Sequence, residues 1–265
     1  MLDQIKKNLR LLKMSLGYNL SKELENKNGL FLQIVFIIFN DSLFLVQFAV
    51  FFSLKSTIGG YDANDLIMLW AILSMVYGLS HLFFENIFNM PNLISTGKLD
   101  AYITQPINIL WNIAIAKTNV MTFGDLIFGI ILAFASAGTD FCKIILFFVV
   151  SFLGAMIFTA FFAIIGSLSF WLKRGEQIAS SLEFTILTIC TYPEGIFNSF
   201  IRGLLYFALP IGFAYYIPLK IVMNFNIVSL IVVAFVAMLL SAFAFFIFHK
   251  GLEQYSSSNL INARV

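Results

Sequence analysis

The chain has 265 residues, of which 60% are hydrophobic and 11% are charged, and its formal net charge is +2. Soluble domains carry about 25% charged residues, so this composition excludes an ordinary globular domain. The mean hydropathy of +0.92 indicates a chain that crosses a membrane several times.

The first 28 residues predict a helix that lies on the membrane surface. Apolar side chains recur every three or four positions, and basic side chains fall outside that stripe; the stripe consists of Leu2, Ile5, Leu9, Leu12, Leu16 and Leu20. Such a helix lies in the interface with its basic side against anionic lipid headgroups. We therefore expect a cytoplasmic interfacial helix over 1–28, the alternative being a soluble helix packed on a partner.

Long apolar runs follow, and the charges lie almost entirely between them. Five runs are long enough to cross a bilayer, because a spanning helix needs about 20 apolar residues: 30–54, 66–90, 118–136, 144–172 and 227–248. A shorter run over 178–191 reaches that length only if its helix begins near Lys173.

The first 28 residues lack the apolar core and cleavage site of a signal peptide, so we expect the first span to direct insertion.

The positions of the basic residues predict the orientation of the spans. Lysine and arginine concentrate in alternate segments: the first 28 residues, the 91–117 loop, the 173–177 loop and the C-terminal end. The two short loops 55–65 and 139–143 hold one basic residue each, Lys55 and Lys143. Because cytoplasmic loops are the richer in basic residues, both termini are expected to be cytoplasmic.

The 192–222 region is apolar but broken by Pro193, Arg202, Pro210 and Pro218. If it crossed the membrane, the C-terminus would lie outside, against the charge pattern. Broken elements at membrane depth occur where they are buried in protein or line a wet cavity. We therefore predict one all-α polytopic membrane domain over 1–265. It has six transmembrane helices, the N-terminal interfacial helix, and a re-entrant outer helical segment between spans five and six.

The cytoplasmic segment 91–108, here called the coupling loop, is mixed in polarity. A proline near each end and the central Gly97 favour a short helix lying across the membrane plane, which is suited to receiving force from a cytoplasmic partner. A plain connector is the alternative.

The only Gly-Lys pair, Gly97-Lys98, is followed by Leu99, so the chain lacks a nucleotide-binding Walker loop. We expect no catalytic residue, no metal site and no cofactor on this chain.

Four acidic residues fall within or near the ends of the predicted spans: Asp41, Glu85, Asp125 and Glu183. A charge at the bilayer centre costs about 3 kcal/mol or more, so each is a candidate for a translocation path or a dimer interface. Structural hydrogen bonding is the alternative role. His81 precedes Glu85 by four residues, a helical spacing that places the two side chains together in a pattern suited to a proton relay.

Three landmarks in chain order resemble a known family. The segments GKLD (97–100) and QPIN (105–108) resemble the first cytoplasmic loop of type-2 ABC exporter permeases. They are most similar to a bacterial branch once known only as a domain of unknown function. The segments YPEGIF (192–197), LP (209–210) and YYIP (215–218) resemble the outer segment of that branch. GLEQYSSS (251–258) resembles its tail, apart from Glu253, where a basic residue is expected.

The resemblance implies a dimer of six-span subunits in the bacterial cytoplasmic membrane, with the second permease an identical or a homologous chain. Each subunit docks a separate ATPase, which holds ATP and Mg, through the interfacial helix and the coupling loop. By position, the docking residues are Asn92, Gly97, Lys98, Asp100, Gln105 and Pro106. ATP hydrolysis drives export or flipping of a hydrophobic or amphipathic substrate. This chain is then not an enzyme, and its partners are the ATPase, the second permease and membrane lipid, without nucleic acid.

Two other functions remain open from the residues alone. One is an ion- or proton-coupled secondary carrier with Asp41, His81 and Glu85 as coupling groups, although carriers often show internal repeats and none is evident here. The other is a membrane scaffold that transports nothing.

Cys142 and Cys190 are either an outer disulfide or two small buried apolar residues, and they lack metal-ligand spacing.

Overall fold

The computed structural model describes residues 2–172 and 174–256, and the side chains of 10–172 and 174–256. Within these ranges the chain is helical and contains no strand. The helices are α1 Leu2–Glu23, α2 Lys27–Leu54, α3 Ala63–Phe88, α4 Met90–Ser95, α5 Asp100–Ile103, α6 Ile109–Ile115, α7 Phe123–Ala137, α8 Phe141–Ser167, α9 Gly175–Cys190, α10 Ser199–Phe207, α11 Ile217–Met223 and α12 Ile227–Leu252. A π-helical turn, Gly212–Tyr216, leads into α11.

In the described residues, five helical stretches are long and apolar enough to cross a membrane, and each overlaps one of the five long apolar runs of the sequence. They are Arg10–Leu54, Ala63–Ser95, Val120–Ala137, Phe141–Phe170 and Ile227–Leu252. A sixth spanning element is counted if α10 and the Gly212–Met223 stretch form one span, although their axes are bent by 86° relative to each other. The described part of the chain is therefore all-helical, with five or six helices of spanning length, as in a multi-pass membrane protein.

The predicted fifth span, α9, is shorter than a bilayer requires. Its 16 residues rise about 24 Å, whereas the hydrocarbon core is about 30 Å thick. At its start, Glu176 accepts a hydrogen bond of 3.3 Å from Asn92, which follows α3. Beyond its end, Glu194 accepts one of 3.1 Å from Tyr61, which precedes α3. The segment from α9 to Glu194 thus runs alongside α3 from one end to the other.

α3 is the central helix of the bundle. A capping box formed by Asp62 and Asp65 begins it, and most of its side chains are buried against α7 and α8. Near its start, the Asn64 carbonyl accepts a hydrogen bond of 3.1 Å from Ser136 at the end of α7. By contrast, most apolar side chains of α2 and α12 are exposed; the side chain of Phe36, for example, is 69% exposed. Such surfaces suit lipid or another membrane subunit rather than water.

Proline breaks the 192–222 region where the sequence predicts it. Pro210 lies between α10 and the π-helical turn, Pro218 occupies the first turn of α11, and Pro193 precedes a 3-10 turn at Glu194–Ile196. Arg202 lies on α10 and is exposed. Whether the bent pair crosses the membrane or re-enters on one side remains a prediction.

Glu194 is the centre of a buried polar cluster that joins these breaks to the rest of the bundle. It is 6% exposed and forms an ion pair with Lys220 of α11. Its second carboxylate oxygen accepts a hydrogen bond of 2.5 Å from the Tyr206 hydroxyl on α10. Together with the bond from Tyr61, these contacts hold the loop before α3, the turn after α9, and both arms of the bent pair.

The same contacts set the protonation of the cluster. Burial favours the neutral form of Glu194, but hydrogen bonds from Lys220, Tyr206 and Tyr61, together with the charge of Lys220, hold the pKa of its carboxyl below the usual range. Burial and the Glu194 charge raise the pKa of the Tyr61 hydroxyl. Glu194 is therefore ionised, and Tyr61 remains a donor, at neutral pH.

The disulfide considered from the sequence is not formed. Cys142 is exposed at the start of α8, whereas Cys190 is buried at the end of α9, and both thiols are free. Cys190 packs in the apolar core, as the alternative reading expects of a small buried side chain.

The close approach of α8 to the π-helical turn gives a test of this packing. A Cβ added at Gly154 lies 2.6 Å from the Ala214 carbonyl oxygen and 2.8 Å from Val76, so Gly154→Ala forces the helices apart. We expect a loss of about 1–3 kcal/mol, seen as a melting temperature several degrees lower in detergent. Gly203→Ala is the matched control, because its Cβ meets nothing within 4 Å. Equal melting temperatures for the two variants contradict this packing.

The lowered pKa of Glu194 predicts an acid-sensitive contribution to stability. This contribution is complete above the ordinary glutamate pKa of about 4.3 and is lost as pH falls through the lower pKa of the folded state. Glu194→Gln should destabilise the protein by about 1–3 kcal/mol at pH 7. The difference in melting temperature between wild type and variant should shrink below about pH 4. A difference that stays constant down to pH 3 argues against an ionised Glu194.

Candidate functional site

A cavity of about 670 Å³ lies between α2 and α9, and we call it the α2–α9 cavity. α3 and the start of α7 form its other walls. Phe36 of α2 and Phe184 of α9 stand at its rim and are 69% and 75% exposed. A volume of this size suits a small organic molecule.

Asp41 and Asp125, two of the four acidic residues predicted in the spans, line this cavity. Asp41 lies midway along α2, and Asp125 lies in the first turn of α7. Among the described side chains, no lysine, arginine or histidine comes within ion-pair distance of either carboxyl group. The two acids therefore occupy the wall of a membrane cavity without a basic partner.

The rest of the cavity wall is aromatic and apolar, with uncharged polar groups between. Trp70 of α3 has its ring 5.8 Å from that of Phe44 and 6.1 Å from that of Phe48, and the Phe48 ring lies 5.7 Å from that of Tyr192. The uncharged polar lining residues are Asn40, Gln47, Ser74, Tyr77, Asn119, Thr122, Thr188, Thr191 and Tyr192. This combination is typical of cavities that bind amphipathic ligands.

The other two predicted acids meet at His81, which is 5% exposed on α3. Its Nδ1 lies 2.7 Å from Glu85 one turn further along, as the spacing predicts, and its Nε2 lies 3.0 Å from Glu183 of α9. The imidazole stacks between the rings of Tyr77 at 4.2 Å and Phe88 at 3.9 Å. His81 thus links α3 to α9 inside the membrane.

Two residues that the sequence did not single out complete this group. Lys117 and Asn119, in the connection between α6 and α7, each approach Glu85 at 3.5 Å. Asn119 also lines the α2–α9 cavity, so the His81 group adjoins the cavity wall. No pattern in the sequence pairs these residues, because the contact joins segments more than thirty residues apart.

The coupling loop folds as two short helices, α4 and α5, around Gly97, whose φ of +74° favours glycine. Asn92 donates its hydrogen bond to Glu176 at the start of α9, so the loop contacts a helix of the cavity. Asp100 accepts a hydrogen bond of 2.9 Å from Tyr255, which follows α12. Burial and the neighbouring Asp100 raise the pKa of Tyr255 to about 12, so its hydroxyl stays a donor at neutral pH.

The remaining predicted docking residues lie on the exposed side of the coupling loop. Lys98, Gln105 and Pro106 are exposed, and Gln105 accepts a hydrogen bond of 2.9 Å from Asn112 of α6. Beside them, Ser15 of α1 donates a hydrogen bond of 2.5 Å to the carbonyl of Ile115. α1 and the coupling loop therefore both pack against α6. Part of the predicted stripe (positions 2, 5 and 9) falls where side chains are not described, and the interfacial placement stays a prediction.

The sequence matches one family, described as ABC-2 family transporter protein, over residues 38–259. No curated protein and no solved structure matches the chain. The matched region begins inside α2 and extends beyond α12, so it contains the coupling loop, Tyr61 and Glu194 with its partners, and all of the α2–α9 cavity except Phe36 and Ile37. More than four fifths of the chain is covered. The chain therefore belongs to the ABC-2 family of transporters and is a permease, the membrane subunit of an ABC transporter.

Proposed function

We propose that this permease exports or flips a hydrophobic or amphipathic substrate, driven by ATP hydrolysis on a separate subunit. The observation that carries the proposal is the α2–α9 cavity, an aromatic pocket with two acidic groups at membrane depth inside the family match. In a single subunit the exposed rim at Phe36 and Phe184 leaves one side of the cavity open. The export direction rests on the resemblance of the coupling loop and outer segment to exporter permeases.

We place six spans in the membrane, with the bent pair re-entrant on the outer side. Two contacts at opposite ends of α3, with Glu176 and with Glu194, support α9 as the short fifth span. Lys220, near the end of the bent pair, pairs with Glu194 before its start, which supports entry and exit on one side. The concentration of basic residues supports cytoplasmic termini in a bacterial inner membrane.

The ATPase subunit is proposed to dock on the surface formed by α1, α6 and the coupling loop. That surface contacts α9 through Asn92 and Tyr255, three residues beyond α12, through Asp100, so force applied there reaches α9 and the end of α12. ATP and Mg belong to the ATPase. This division of labour agrees with the lack of a Walker loop in the sequence.

A second permease, identical or homologous, is proposed to cover the open side of the α2–α9 cavity. Exposed apolar side chains on both helices at that side, with Phe36 and Phe184 foremost, support this arrangement. The two subunits would then enclose one path between them. Membrane lipid covers α12, whose exposed side chains are almost all apolar.

Purification of the intact complex tests the proposal directly. The chain, extracted gently from its native membranes, should bring down an ATPase subunit with a Walker loop in nearly equal amount, identified by mass spectrometry. The other permease chains in the same preparation define the dimer. Recovery of the chain alone, under conditions that keep another ABC transporter intact, contradicts the proposal.

Lys98 offers a sharper test of the docking surface. It is exposed on the coupling loop and forms no ion pair with another described residue, so Lys98→Glu should leave the fold intact. We expect the co-purified ATPase to fall by about fivefold or more, since reversing a charge in an interface places like charges together. Lys55→Glu, also exposed but in the loop before α3, is the matched control. Equal ATPase recovery with both variants removes the coupling loop from the interface.

The His81 group favours a second candidate, a proton-coupled carrier, because it joins a titratable imidazole to Glu85 and Glu183 beside the cavity. The two functions differ in their energy source. In an ABC exporter, transport stops on ATP depletion, and His81→Gln weakens the fold but leaves the remaining transport ATP-dependent. In a carrier, transport survives ATP depletion and stops with a protonophore, and His81→Gln abolishes the proton dependence. Transport assays in inverted vesicles separate the two.

A further inference from the structure

We infer that the α2–α9 cavity binds lipophilic cations, and this inference, which names the substrate class, rests on the proposed function. The cavity wall, among the described residues, holds two carboxyl groups and no lysine, arginine or histidine. Asp41 and Asp125 come from different helices and face the same space. A cation between them meets two acidic groups at once.

The membrane setting makes this arrangement selective. An ionised carboxylate at membrane depth is costly unless a basic group or water compensates it. Glu85 and Glu183 have His81 for this purpose, and Glu194 has Lys220, whereas Asp41 and Asp125 have no basic side chain within ion-pair distance in the described chain. A cationic ligand between them would supply the basic partner that both acids lack.

The aromatic wall adds a second and independent preference for cations. Phe44, Phe48 and Trp70 form a continuous group of rings in the cavity, and Phe36, Tyr77, Phe184 and Tyr192 extend it. The faces of aromatic rings attract cations, most strongly where water is excluded. The rings also suit the apolar part of an amphipathic molecule. Acidic groups and rings together favour a bulky organic cation over an inorganic one, because 670 Å³ greatly exceeds the volume of a bare ion.

The same features disfavour other substrates. An anion of equal size meets two acidic groups and no basic group that could pair with it. A neutral lipid-soluble molecule gains the apolar contacts but no charge pairing with either acid. The expected order of affinity is thus cation, then neutral molecule, then anion.

Tetraphenylphosphonium and tetraphenylborate, which share nearly the same shape but carry opposite charges, are suitable probes. Binding is measured by equilibrium dialysis on the purified full chain in nanodiscs, with empty nanodiscs subtracted to remove partitioning into lipid. We expect saturable binding of tetraphenylphosphonium and none of tetraphenylborate. Equal binding of the two ions, or no saturable binding of the cation, overturns the inference.

Variants locate the site. Asp41→Asn and Asp125→Asn should each weaken tetraphenylphosphonium binding by about tenfold. Glu253→Gln, on an exposed acid after α12, is the control that should change nothing. Thr188→Trp fills the cavity from the exposed face of α9 without removing a charge, and should also abolish binding. If all of these variants bind as the wild type does, the cation site lies elsewhere and the inference fails.

These measurements remain separate from the test of the proposed function, because they need no ATPase. Recovery of an ATPase together with failure of cation binding rejects the substrate class alone. Saturable cation binding, with transport that survives ATP depletion, rejects the ABC exporter mechanism and keeps the site.

Discussion

The bridge that His81 makes between Glu85 and Glu183 fixes the geometry on which the cavity depends. Charged groups inside a membrane must be paired, and here one buried imidazole contacts two carboxylates from two helices, while Lys117 also approaches Glu85. α9 is short and packs against α4 and α8, while its other side is exposed. The polar tie to α3 adds to this packing, and the two together set how far α9 stands from α2 and hence the width of the cavity.

Polar contacts at the two ends of the bundle complement this central bridge. At one end, Glu194 gathers Tyr61, Tyr206 and Lys220, so the broken outer segment is held by a single ionised group. At the other end, Asn92 and Asp100 fix the coupling loop to the start of α9 and to the residue after α12. The apolar helices between supply packing, but these few polar contacts set their register.

Much of this architecture follows from the sequence, because hydropathy and helical spacing are local properties. The five long apolar runs became helices, Pro210 became a break, and His81 contacts Glu85 one turn away. What could not be predicted depends on contacts between distant segments. Glu183 reaches His81 only because α9 lies beside α3, and Glu194 looks like an ordinary loop carboxylate until the bent pair folds around it. For the same reason, the separation of four candidate acids into a paired and an unpaired set required the three-dimensional fold.

The length of the first helical stretch has a mechanical consequence. From Arg10 to Leu54 the helical run is 45 residues, about 67 Å, which is more than twice the thickness of the hydrocarbon core. One part rests on α6 beside the coupling loop, while the other carries Asp41 and touches the bundle mainly at α7. The two parts, α1 and α2, are joined by the short 3-10 turn Leu24–Asn26. A displacement of α1 on the α6 side therefore shifts the wall that holds Asp41, so that cavity width and subunit docking are connected through this helix pair, without rearrangement of the packed core around α3.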